Sequence, residues 1–138
     1  MKRFFILLIF IVHYSLFITT HATIRYVRPT PYGTADGSSW ISASDDLQLM
    51  INQSTAGDTI WVAAGTYKPK GNDRISSFVL KPDVQIYGGF PNNGTATWTD
   101  RNWNANPTIL SGDIGIPNDI SDNCYHVVVF AVHQDSTA

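Results

Sequence analysis

Glutamate is missing from this 138-residue chain: all eleven acidic residues are Asp. Glu favours helix interiors, whereas the short Asp carboxylate reaches backbone amides at turns and caps, so the imbalance points to strands joined by many corners. Cysteine is almost absent too. Cys124 stands alone, which excludes an internal disulfide and any disulfide-built mini-fold. That thiol serves either as a small buried apolar side chain or as a link between two molecules.

Long apolar runs are lacking as well. The greasiest stretch, Phe4 to Ile18, spans 15 residues and is interrupted by His13, Tyr14 and Ser15; a membrane-spanning helix wants about 20. With Lys2 and Arg3 before it and the small residues Thr20 and Ala22 after it, the segment reads as a secretory signal peptide over residues 1–22, a retained anchor being the competing reading. Cleavage would leave seven basic residues against eleven acids, a net charge of about −4. Nucleic acid is then not an expected partner, because its binding needs a basic stripe, and no stable membrane span is expected after cleavage.

What is present is a repeat. Ile60–Gly65, Val84–Gly89 and Thr108–Asp113 superpose without gaps at successive offsets of 24 residues. Apolar residues recur at 60/62, 84/86 and 110, and a small residue follows two positions later at Ala64, Gly88 and Gly112. A fixed period of this size marks stacked units. Ahead of the repeat, Ile24–Arg28 alternates as a strand, and Ser44-Asp45-Asp46 opens a short helix over 44–53 with Leu47, Met50 and Ile51 on one stripe. Phe78–Leu80 and Tyr125–Phe130 read as further strands. The connections are rich in Gly, Pro and Asn rather than helical, which argues against a doubly wound α/β fold.

The expectation is therefore an all-β fold, the N-terminal fragment of a right-handed parallel β-helix solenoid with a short capping α-helix. Its parts would be a signal peptide (1–22), an N-terminal strand, loop and capping helix (23–56), and the first coils of the solenoid (57–138), incomplete at the C-terminus. The segments Tyr26-Val27, Asp36–Trp40, Gly57–Tyr67, Ile86–Phe90 and Asn106–Asp113, taken in order, resemble the N-terminal coils of secreted bacterial parallel β-helix repeat proteins of the pectin-lyase-like group. The resemblance covers about residues 23–130. It implies an exported or cell-surface protein, of which this chain would be the first portion or the product of a truncated gene.

That likeness implies two functions. One is a structural or binding scaffold, adhesin-like or glycan-contacting, with polysaccharide or cell-surface components as partners and no catalytic site of its own. The other is the N-terminal part of a polysaccharide lyase or glycoside hydrolase. For the scaffold, Tyr87, Trp98 and Trp103 offer wide apolar faces with polar edges suited to stacking on sugars, Arg101 lying beside them as a cation. The same rings can instead pack their loop against the strands. For the enzyme, Asp113, Asp119 and Asp122 are the acidic candidates, with calcium allowed but not indicated and no other cofactor expected. Those aspartates also suit ordinary turns. His126 and His133 lack the neighbours a zinc site needs. Asn52-Gln53-Ser54 and Asn93-Gly94-Thr95 match the N-glycosylation pattern.

Overall fold

The computed structural model describes residues 21–71 and 73–131. The segment read as a signal peptide lies outside them apart from its last two residues. Seven short strands and one α-helix run in order: β1 (Ile24–Val27), α1 (Leu47–Gln53), β2 (Thr59–Ala63), β3 (Gly65–Tyr67), β4 (Phe78–Leu80), β5 (Gln85–Phe90), β6 (Thr108–Leu110) and β7 (Val128–Phe130). They pair in parallel as three separate sheets, β1-β2-β5, β3-β6 and β4-β7.

This arrangement corrects the expected solenoid. The sheets hold three, two and two strands, and no continuous or closed helix of strands is built among the described residues. The first two repeat copies pair as β2 and β5, but not in the register the repeat implies. Ile60 pairs with Ile86, so Val84 falls in the turn before β5, two residues off the alignment the sequence suggests. The third copy joins a different sheet, with Thr108 opposite Gly65 and Leu110 opposite Tyr67. The physical reason is that alternation of apolar residues specifies a covered strand but not its neighbour. The small residues after β2 also allow a corner at Ala64, beyond which Gly65–Tyr67 opens a second sheet rather than a loop.

The helix forms for the expected reason at a different boundary. Asp46, not Ser44, is its cap: the Asp46 carboxylate accepts from the Leu49 amide at 2.8 Å. Ser44 instead bridges to Val27 beside β1. With no coil to cover, α1 acts as a wall of the core, burying Leu47, Met50 and Ile51 next to β1 and β4.

Strand alternation divides the apolar residues between two clusters. Ile60, Val62, Val27, Tyr67 and Phe78 meet the helix in one. Trp40, Ala43, Ala63, Phe90 and Ala96 form the other, on the opposite face of the three-stranded sheet, with Tyr26, Trp61 and Tyr87 packed against them. The ladder register aligns Tyr26 with Trp61 and Trp61 with Tyr87, giving an aromatic row across that face. Trp40 covers one end of the row, its ring centroid 4.9 Å from that of Tyr26 and its indole N–H donating to the Ala96 carbonyl at 2.7 Å. Phe90 stacks on Trp61 at 4.6 Å, with ring planes 11° apart.

Candidate functional site

The far end of the aromatic row is where the sheet departs from regularity. Trp61 faces Tyr87, but Ala63 faces Phe90, so β5 carries one extra residue across Gly88-Gly89. A bulge of this kind bends the strand and re-aims the residues beyond it. Gly89 has φ of +92°, and a Cβ there would lie 3.0 Å from the Trp103 backbone nitrogen, so both the conformation and the close approach require glycine.

The loop after β5 docks onto this bulge. Arg101 donates from Nε to the Gly88 carbonyl at 2.7 Å, and the Asn102 amide donates to the Gly89 carbonyl at 2.8 Å. Thr108, at the start of β6, donates from Oγ1 toward the Ala63 carbonyl at 3.2 Å and accepts from the Gly89 amide at 3.0 Å. The loop carries its own local order. A capping box between Thr97 and Asp100 opens the 3-10 turn Trp98–Asp100, and these hydrogen bonds from the Thr97 amide and hydroxyl hold the Asp100 carboxyl below its usual range. Asn102 Oδ1 then accepts from the Asn104 and Ala105 amides at 3.0 and 3.1 Å.

Anchored at both ends, the loop brings Tyr87, Trp98, Arg101 and Trp103 into one group. The Arg101 guanidinium carbon lies 5.4 Å from the ring centroids of Tyr87 and Trp98 and 5.5 Å from that of Trp103. Trp98 meets Tyr87 edge-on at 4.9 Å and leans on Trp61 and Phe90, so it serves chiefly as the joint between loop and sheet. Trp103 is 65% exposed and has no aromatic neighbour of its own among the described residues, so much of its ring stays open to solvent beside the Arg101 guanidinium. Arg101 and Trp103, with Gly88, Gly89, Pro107 and Thr108, line a cleft of about 300 Å³. Nε is committed to Gly88, and the two Nη groups make no hydrogen bond to the described residues.

The acidic candidates gather elsewhere and serve turns. Asp113 pairs with Lys68 at 3.3 Å and accepts from the Asn118 amide; Asp119 accepts from the Ser121 amide; Asp122 accepts from the Ile116 amide. Hydrogen bonds from Ser121 hold the Asp119 carboxyl below its usual range. Among the described residues no group of three His, Cys, Asp or Glu side chains could hold a metal ion. His126 is exposed and His133 lies outside the described residues. Cys124 is a free, partly buried thiol against Gly112.

No protein-family model, curated protein or solved structure matches this chain, so no comparison links it to the pectin-lyase-like group.

Several contributors to the site are not singled out by sequence reasoning. Trp61 and Phe90 buttress Trp98, while Thr108 and Pro107 close the cleft. A signal for Trp61 does exist, because Tyr26-Val27 and Trp61-Val62 share an aromatic-apolar step that the ladder places side by side. No comparable pattern marks Pro107 or Thr108.

Proposed function

We propose that this chain is an exported or cell-surface binding scaffold that contacts glycans through the Arg101 aromatic cluster. The observation that carries the reading is a guanidinium held among three rings beside an open cleft of about 300 Å³, with Trp103 largely exposed. Sugar rings present apolar C–H faces that stack on indole and hydroxyls that need fixed donors, so a flat ring next to a planar five-donor cation suits them. The bulge and two loop hydrogen bonds hold these groups in place before a ligand arrives, which lowers the ordering cost of binding. Export is supported by the basic start and the short apolar run at the N-terminus. Among the described residues no helix is long and apolar enough to cross a membrane.

Binding is favoured over glycan cleavage because no carboxylate among the described residues lines the cleft, whereas glycoside hydrolysis needs two. The deciding experiment passes the purified chain over immobilised neutral and acidic polysaccharides and, in parallel, monitors soluble acidic polysaccharide for unsaturated uronide absorbance. Retention on at least one glycan, lost in Trp103→Ala, is the expected result. Uronide release would overturn the scaffold reading, and absence of retention on every glycan would overturn glycan contact.

A further inference from the structure

We propose that the Asn93-Gly94 peptide is a self-modification site, at which the folded chain converts Asn93 to aspartate and isoaspartate through a cyclic imide. Asn93 alone among the chain's asparagines is succeeded by glycine. That matters because the attacking group is the next residue's backbone nitrogen, and any Cβ on that residue crowds the approach. The structure adds four features that the dipeptide by itself does not supply.

Asn93 is exposed in the turn after β5, so water reaches it. Its Oδ1 accepts from the Thr95 amide at 3.1 Å, which folds the side chain forward over the Gly94 peptide and polarises the Cγ–Oδ1 bond that must be attacked. Gly94 has φ of +83°, and the nearest atom to a Cβ built there is Arg28 Nη1 at 3.5 Å, so the nitrogen's surroundings are open. The Gly94 amide itself makes no hydrogen bond among the described residues and loses none on deprotonation.

Four of the other asparagines differ in ways that bear on this reaction. Asn102 is followed by Trp103, whose Cβ crowds the attacking nitrogen, and Asn52 accepts from Gln48 within α1. Asn92 is gripped by Arg28, whose Nε donates to Asn92 Oδ1 at 2.6 Å. Asn106 precedes Pro107, which has no N–H to give up.

In the reaction the Gly94 nitrogen loses its proton to hydroxide and bonds to Asn93 Cγ. The bond from Cγ to the side-chain nitrogen breaks, and that nitrogen takes a proton back from the water just formed and leaves as ammonia, regenerating hydroxide. One water then opens the five-membered imide at either carbonyl, giving aspartate or, with an extra methylene in the backbone, isoaspartate. One water is consumed, one ammonia is released and nothing is oxidised. The product places a new carboxylate in the turn that Arg28 already holds through Asn92, so the added negative charge forms beside a cation.

The test incubates the full folded chain in mildly alkaline buffer made with heavy-oxygen water and maps the peptides by mass spectrometry, with an isoaspartyl-methyltransferase assay alongside. Label should enter at residue 93 before any other asparagine, and isoaspartate should appear there. Both signals should be lost in Asn93→Gln, whose longer side chain would need a less favourable six-membered ring, and in Gly94→Ala. A urea-unfolded sample serves as comparison. The proposal is overturned if the folded chain keeps its Asn93 amide while the unfolded chain loses it, or if label enters first at another asparagine. Neither outcome depends on whether the chain binds glycans.

Discussion

Arg101 donates a 2.7 Å hydrogen bond from Nε to the carbonyl of Gly88, the residue at which β5 bulges away from β2. This contact converts an irregularity of the sheet into an anchor for the loop that carries Trp98 and Trp103. A charge-assisted hydrogen bond is worth roughly 1.5–3 kcal/mol. Arg101→Ala should therefore lower unfolding free energy by about 1–2 kcal/mol in urea titrations, and glycan retention should fall with it. Arg101→Lys should not restore retention, because a single ammonium cannot both satisfy Gly88 and present a planar fork among the rings. Full rescue by Lys would show that charge alone is required.

Gly89→Ala should destabilise for two reasons that act together. A left-handed backbone costs a Cβ-bearing residue about 1–2 kcal/mol, and the new methyl would press on the backbone of Trp103. The expected result is a comparable loss of stability accompanied by a shift in tryptophan emission as the Trp103 segment moves. Unchanged stability and emission would mean that the bulge does not constrain the loop.

Core truncations should be larger. Phe78 is 2% exposed and belongs to the cluster shared by α1, β2 and β4. Phe78→Ala should cost about 3–5 kcal/mol, against roughly 0.5–1.5 for Ile60→Val. Since small domains have only about 5–15 kcal/mol of total stability, the Phe78 variant should unfold at much lower urea. Equal effects of the two changes would indicate that the core lies elsewhere.

Acid should weaken the fold through Asp58. This buried carboxylate accepts from the Thr55 and Thr23 amides at 2.9 and 2.8 Å, and those two bonds hold its pKa below the ordinary 3.8. A depressed folded-state pKa contributes stability that is complete above the unfolded value and is lost as pH falls through the folded one. The contribution should be constant at neutral pH and decline below about pH 4. Asp58→Asn should lower stability at pH 7 and flatten the acid limb of the pH–stability curve, since its NH₂ would face a backbone N–H. An unchanged acid limb would remove Asp58 from this role.

Much of the local structure is legible in the residues. The Leu47/Met50/Ile51 stripe finds its helix, Ile24–Val27 and Thr59–Ala63 are strands as alternation suggests, and the apolar triplet Phe78–Leu80 is a short strand as expected. What the pattern does not carry is partnership. Val84 and Ile86 look interchangeable as partners of Ile60 because both are aliphatic, and only the Lys81–Val84 turn before β5 decides between them. Thr108–Leu110 looks like another copy of β2, yet it pairs with β3, which the residues Gly65-Thr66-Tyr67 barely announce. The aromatic and cationic site residues stand out because Trp and Arg are conspicuous. The bulge that positions them does not, since Gly88-Gly89 reads equally well as a corner.

Trp103 offers the most direct test of the binding account, because its side chain is largely exposed and its loss should leave the fold intact. In a titration of wild type and Trp103→Ala with the best-retained glycan, monitored by the emission of the remaining tryptophans, the variant should keep wild-type urea stability to within about 0.5 kcal/mol. Its glycan affinity should drop by about tenfold or more, roughly 1.4 kcal/mol. Equal affinity in the two proteins, with stability unchanged, would contradict the claim that this ring and its neighbouring guanidinium form the contact surface.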